Sequence, residues 1–234
     1  SLGAGGNTVQ FGSVQLSGET VAISETGAAQ ILDVDATNLD YSASGEIIAS
    51  GILDVTDGVV FTADEGNENI TATNSGNLFS ALFVDGADVV IVNNGPTVLQ
   101  EVDVDNLNLS SAGNVTDGNE DGIAVVGLAV INAGTGNISL GNPNSTADND
   151  AVAIGSVQLT GNQVSLTQSN NIVVASLNVA DDLMLESQNG NITAGVDASV
   201  QLVDDGINTV SLKVGRTDGL IEFVADTAMG AVTA

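Results

Sequence analysis

Asp117, Asn119 and Asp121, in Asp117-Gly-Asn-Glu-Asp-Gly122, are the residues of this chain best spaced to hold a cation. Oxygen ligands at alternate positions, followed by a glycine for the sharp turn, make the first half of a calcium loop. The twelfth position is Leu128 instead of a bidentate glutamate, so the stretch is not an EF-hand. Backbone carbonyls would have to complete the coordination sphere. The simpler reading is an acidic turn between two structural units, because 30 of the 234 residues are Asp or Glu. The glycine-rich nonapeptide pattern of calcium β-rolls is absent.

Asp33 and Asp35, and again Asp103 and Asp105, alternate in Asp-Val-Asp. With Val34 and Val104 facing inward, each pair places two carboxylates on one outward face. Paired carboxylates do acid–base work or hold metal, but the simpler reading is solvent-facing positions of half-exposed strands, since 30 acids bring some pairs together by chance. A lyase acting on acidic sugars needs a cation beside a base. Histidine is absent, and Lys213 and Arg216 are the only cations. They lie close enough in sequence to cooperate, yet read more simply as surface residues. A glycoside hydrolase built from carboxylates alone would lack a tryptophan platform for its sugar. No catalytic residue is assigned, and no enzymatic activity is expected.

The formal charge of −28 excludes whole classes of partner. Nucleic acid needs cations opposite its phosphates, and anionic lipid surfaces repel acids for the same reason. Such a surface aids solubility and repels itself, so calcium or high salt would relieve it. There is no cysteine, so the fold must hold without disulfides. No run of about 18 apolar residues exists to span a membrane. Ser1 opens no signal-peptide pattern, and the chain reads as a processed product or a piece of something longer. Six Asn-x-Ser/Thr sequons begin at Asn69, Asn108, Asn114, Asn137, Asn144 and Asn191. Most reflect a recurring turn-to-strand phrase, and sugars there require a host with the machinery.

The elements that must position these groups are short. Triplets such as Val14-Gln-Leu16, Leu39-Asp-Tyr41, Leu107-Asn-Leu109 and Leu183-Met-Leu185 alternate apolar and polar residues, then meet Gly, Asn, Asp or Ser. Alternation puts both apolar residues of a triplet on one face. No window sustains a helical period. Like positions return at a longer interval: Leu39, Val59, Phe79 and Leu99; Tyr41 and Phe61; Val164, Leu183 and Leu202; Leu107 and Leu128; Leu109 and Val130. These spacings predict an all-β chain, a right-handed parallel β-helix (solenoid) of about 19–21 residues per coil with three short strands per coil. About eleven coils at ~4.8 Å each would make a rod of roughly 50–55 Å. Residues 1–8 are a Gly-rich lead-in, and 9–234 form one domain with polar loop inserts near 64–69, 117–122 and 142–150. Pro96 and Pro143 belong in breaks. The corners are expected at Gly76-Asn77, Gly113-Asn114, Gly136-Asn137, Gly161-Asn162 and Gly190-Asn191, residues that tolerate left-handed backbone. Phe11–Gly51 and Ile154–Gly195 look like duplicated blocks, since Gly12-Ser-Val-Gln-Leu-Ser-Gly18 recurs as Gly155-Ser-Val-Gln-Leu-Thr-Gly161.

Asn106–Thr116 (NLNLSSAGNVT) and Asp182–Thr193 (DLMLESQNGNIT), with a looser copy at Asn38–Ser50, share one phrase. It resembles the filamentous haemagglutinin-type repeats of large secreted bacterial adhesins. The resemblance implies a right-handed parallel β-helix with about three strands per coil, and an extracellular, cell-surface setting. The positions kept between copies are inward apolar residues and the Gly-Asn corner, whereas Asp182 and Glu186 are replaced by Asn and Ser at the earlier copy. The phrase is therefore architecture. The expected role is structural or adhesive: a shaft segment, or a subunit of a surface fibre stacking head to tail or continuing into further coils. The alternatives are a calcium-dependent module binding a glycan or cell-surface receptor through its inserts, and a β-helical polysaccharide-degrading enzyme. Calcium at Asp117, Asn119 and Asp121 is the one cofactor the sequence suggests. Neither nucleic-acid binding nor membrane insertion is expected.

Overall fold

The computed structural model describes residues 9–63, 67–141, 151–202, 209–215 and 218–223, apart from the side chains of 119–121 and 196. No helix occurs among them. The strands are β1 (Val14–Glu25), β2 (Ala29–Ala43), β3 (Ile47–Ala49), β4 (Leu53–Val55), β5 (Gly58–Ala63) and β6 (Ile70–Ala72). They continue as β7 (Ala81–Asn93), β8 (Thr97–Ser111), β9 (Val115–Asn132), β10 (Ile138–Leu140), β11 (Val152–Gly161) and β12 (Val164–Gln168). The last are β13 (Ile172–Val179), β14 (Leu183–Ser187), β15 (Ile192–Leu202), β16 (Val210–Val214) and β17 (Ile221–Phe223). Each pairs in parallel with strands one coil before or after it, which makes a β-solenoid of about nine turns.

One inward ladder runs the length of the stack: Ile31, Ala49, Ala72, Ile91, Leu109, Ile131, Leu159, Leu177 and Val200, each in register with the next. All nine are buried. Small rungs offset large ones. The buried alanines Ala43, Ala49, Ala63 and Ala72 fall in the coils that also bury Tyr41 and Phe61, so small side chains leave room for the large ones. Tyr41 lies over Phe61, as their spacing predicts.

The stack has fewer coils than the spacing suggested, because coil length varies more. Val14 pairs with Ile31 and Ile123 with Val152, so one turn takes between 17 and 29 residues. Some expected ladders change with it. Leu82, not Phe79, stands between Val59 and Leu99. Leu183 pairs onward with Val210, whereas Leu202 pairs with Val179. Leu107 lies over Ala129 and Leu109 over Ile131, one residue beyond the expected Leu128 and Val130. An irregularity in register between Val104 and Leu107 makes this slip. A slip of one residue exchanges inside for outside, so Leu128 and Val130 stay on the outer surface.

The first coil is closed by a polar contact. Glu25 is buried, its Oε1 accepting from the Tyr41 hydroxyl at 3.0 Å and its Oε2 from the Phe11 backbone N–H at 3.0 Å. Burial first, then the hydrogen bond and charge of Glu25, push the Tyr41 phenol well above its ordinary range. Below the ordinary phenol value of about 10 both folded and unfolded chains keep the proton, so this contribution to stability is intact. Above it the unfolded chain ionises while the folded chain resists, and stability falls as pH climbs towards the folded value. Tyr41 is the only tyrosine and there is no tryptophan. Tyrosinate absorbance should therefore appear only together with unfolding in an alkaline titration. In Tyr41→Phe the alkaline fall in melting temperature should become shallower.

Of the polar stretches expected to leave the rod, 64–69 joins β5 to β6, with 67–68 in a turn and 64–66 outside the described residues. The stretch 117–122, expected as a loop, runs inside β9 instead. Leu99 pairs with Asp117 but Glu101 with Gly122, so the surplus residues are absorbed as a bulge, with Gly122 at φ 95°. Residues 142–150, Pro143 among them, and the lead-in 1–8 lie outside the described residues. Pro96 sits in the break between β7 and β8.

Candidate functional site

The carboxylates singled out by their spacing point outward as alternation requires. Val34 and Val104 are buried, while Asp33, Asp35, Asp103 and Asp105 are exposed. Stacking adds what the sequence alone did not show. Asp35 lies in register with Asp54, and Asp85 with Asp103, one coil apart. At ~4.8 Å between strands these are like-charge neighbours, a destabilising arrangement that dissolved cations screen. Asp33 is already engaged. Its Oδ1 accepts the Ile52 N–H and its Oδ2 the Gln15 side-chain amide, each at 3.0 Å.

That bond to Ile52 is one case of a general device. The side-chain oxygen of Asn114 accepts the backbone N–H of Asn137 at 2.9 Å, and Asn137 in turn accepts that of Gln163 at 3.2 Å. Asn171 accepts from Asn191 at 2.8 Å, and Asn191 from Leu220 at 2.9 Å. Asn69, Asn106 and Asp182 do the same for Asp88, Leu128 and Thr209. In every case the oxygen belongs to one coil and the N–H to the next. Corners leave the strand ladder, so their backbone donors need another acceptor, and Asx side chains supply it. Four of the six sequon asparagines (Asn69, Asn114, Asn137 and Asn191) are used in this way. The Asn108 side chain is exposed, and Asn144 lies outside the described residues.

The corner glycines serve a different end from the one expected. Gly113 and Gly136 are absent from the positive-φ glycines, which include Gly27, Gly122, Gly134 and Gly141. What they provide is close approach. A methyl group on Gly136 would stand 2.6 Å from the Gly113 carbonyl, and one on Gly113 would stand 2.9 Å from Pro96 N. Turn nests on turn, and a side chain has no room between them.

The proposed calcium ligands are only partly placed. Asp117 is partly buried in the β9 bulge and its Oδ2 accepts the Gly141 N–H at 3.0 Å. The side chains of Asn119 and Asp121 lie outside the described residues. Gln100 packs directly against Gly118 of the same bulge. Its Oε1 is buried and, among the described residues, has no hydrogen-bond partner. No group of three or more Asp, Glu, His or Cys side chains suited to a metal forms among the described residues. Lys213 stacks on Glu186 in register and binds its Oε1 at 2.7 Å. Arg216 lies outside the described residues.

Sequence reasoning missed an internal polar spine. Asn77, Asn93, Thr97 and Ser111 are buried where aliphatic rungs stand elsewhere. Asn77 Oδ1 accepts the Leu53 N–H at 3.0 Å, and its Nδ2 reaches Ala72 O and Val92 O, each at 3.1 Å. Asn93 brackets Phe79, accepting its N–H at 3.1 Å and donating to its carbonyl at 2.9 Å. It also donates to Thr97 Oγ1 at 2.9 Å. Thr97 then donates to Ser111, and Ser111 to Gly95 O. The one available signal was the Gly-Asn corner at Asn77. Asn93 and Ser111 carry none, because a buried asparagine in a corner reads like an exposed one.

The sequence model of one protein family, described as repeats of unknown function (DUF5649), matches residues 18–84 and 86–154, more than half of the chain. No curated protein and no solved structure matches it. The second match has a clear structural meaning. Gly86 lies in register with Val104, Val104 with Val125 and Val125 with Ile154, so it spans three full turns. The first begins at Gly18, which stacks on Ala36, and Ala36 on Val55. The family repeat is thus a block of coils longer than the single coil visible as short motifs. Its boundaries also differ from those of the duplicated blocks Phe11–Gly51 and Ile154–Gly195.

Proposed function

Because the chain belongs to the DUF5649 family of repeats, here a stacked multi-coil block, we propose that it is a structural and adhesive element outside the cell. It acts as a shaft segment of a surface fibre, or as a subunit that stacks head to tail. The observation that carries this reading is the unbroken ladder from Ile31 to Val200, whose corners spend their Asx side chains on binding the next coil. A stack of this kind gives rigidity and length, and coils add to coils by the same contacts. The resemblance of Asn106–Thr116 and Asp182–Thr193 to filamentous haemagglutinin-type repeats supports the extracellular setting. The charge of −28 fits a partner that is neither nucleic acid nor anionic lipid. No enzymatic step is assigned to it.

Electron microscopy across a concentration series tests this. Nine coils at ~4.8 Å give a unit of roughly 40 Å, and stacking subunits should yield rods in multiples of it. Rods of one length at every concentration would leave only the shaft-segment form, and globular particles would overturn both.

The second reading is a calcium-dependent module that binds a glycan or receptor. The unpartnered Gln100 Oε1 against Gly118, beside Asp117, favours it, because a buried carbonyl oxygen in an acidic bulge is what a hard cation uses. On this reading chelation lowers the melting temperature by several degrees, and an unchanged temperature removes calcium from the account.

A further inference from the structure

The acids of this chain are not spread over all of its faces. The segments 29–32, 47–49, 70–72, 89–92, 107–110, 129–132, 157–160, 176–179 and 199–202 stack into one face of nine rungs. Not one residue in them is charged, in a chain with 30 acids. One outward row of this face reads Ile48, Thr71, Val90, Asn108, Val130 and Gln158, in register from coil to coil. All but Asn108 are half-buried. Acids stand at its borders: Asp33 follows the first rung, and the exposed Asp88 and Asp105 precede the fourth and fifth.

We propose that this face is an interaction surface on which a second copy of the chain packs side by side. An uncharged centre with a charged rim is the compositional mark of a protein interface. For a molecule at −28, side-by-side contact through this face presses no carboxylate of its nine rungs against a carboxylate. Asn, Gln, Ser and Thr both donate and accept, so the rows are self-complementary and suit a two-fold contact. The alternating Val90 and Val130 supply apolar surface. A neutral glycan would fit less well, because the face has no aromatic residue to stack a sugar on. A face of nine rungs, ~40 Å by ~13 Å, offers roughly 500 Å² per copy. That is below the standard ~800 Å² per partner, so the pair is weak and concentration-dependent. Salt strengthens it by screening the remaining acids.

Sedimentation equilibrium and small-angle X-ray scattering on the full chain at rising protein and salt test the proposal. Side-by-side pairing doubles the mass per unit length at constant length, whereas end stacking doubles the length, so the two forms of association fail independently. Asn108→Asp with Gln158→Glu adds two charges to the face at nearly constant shape, and should weaken pairing by about tenfold or more. Ser165→Asp with Thr193→Glu adds the same charge on the other faces and should leave pairing unchanged. Circular dichroism melts of both double variants separate lost pairing from lost fold. The proposal is overturned if the parent chain keeps a single-rod cross-section at millimolar protein in high salt. Equal weakening by the two double variants overturns it too. So does a single-rod cross-section accompanied by neutral-oligosaccharide binding that Asn108→Asp and Gln158→Glu abolish.

Discussion

Replacing Gly51 by alanine should destabilise the protein by about 3 kcal/mol or more, among the largest effects of any single methyl group in this chain. Gly51 lies in the corner between β3 and β4, directly over the Leu32 carbonyl of the preceding coil. An added methyl group would overlap that oxygen, a backbone atom that no rotamer change can move aside. The corner must lift. Lifting it breaks the Ser50 N–H bond to Ile31 O and the Ile52 N–H bond to Asp33, at 2.9 and 3.0 Å. It also breaks the Val34 N–H bond to Ile52 O at 2.9 Å. Each such bond contributes roughly 1 kcal/mol net. Gly195→Ala is the matched control, since a methyl group there meets nothing within 4 Å. Urea unfolding should show a large fall in midpoint for the first variant and a change within about 1 kcal/mol for the second. Equal midpoints would mean that the corner is looser than the stacking of Gly51 on Leu32 requires.

Asn93→Leu should cost a comparable amount, about 3–4 kcal/mol, for a different reason. Leucine has the same branched outline of heavy atoms and is the larger side chain, so no cavity opens. What is lost is every polar contact at once. Phe79 loses partners on both its N–H and its carbonyl, and Thr97 loses its donor, all in a site closed to water. Removing one partner from a buried pair leaves the full desolvation cost of the other. Asn93 also feeds a relay through Thr97 and Ser111 to Gly95 O. Asn93→Ala and Ser111→Ala should therefore be less than additive in a double-mutant cycle. Full additivity in urea melts would show that the relay is a row of separate bonds.

The contrast between these two sites explains what was legible beforehand. Alternation fixes which face a residue takes, so the inward Val34, Tyr41, Leu107 and Leu185 and the outward Asp33 and Asp103 could be read without coordinates. The parallel stack follows from them, because no single coil can bury its apolar face alone. Absolute register was not legible. It depends on how many residues each corner absorbs, and the slip that sets Leu107 over Ala129 instead of Leu128 comes from an irregularity with no mark in composition. Corner chemistry was half legible. The Gly-Asn pairs were visible, but backbone torsion was the obvious reason for a glycine there, and contact between coils is invisible in a single chain. Buried Asn77 and Asn93 were hidden because asparagine is also the commonplace residue of exposed turns. For the cation candidate, spacing brought Asp117 forward, and the neighbouring Gln100 emerged only when β8 was laid against β9.

The unequal coils have one more consequence. The 18 residues from Ile91 to Leu109 and the 28 from Ile131 to Leu159 each add a single rung to the same inner ladder. Height is therefore counted in whole coils and is indifferent to the number of residues spent on each. Insertions and deletions confined to a corner would leave the reach of the rod and the phase of its faces untouched while rewriting what its sides display. Only the gain or loss of an entire coil would change the reach, and then by a fixed step of ~4.8 Å. In lineages of such chains, length and surface can thus drift as separate characters, one in discrete jumps and the other residue by residue.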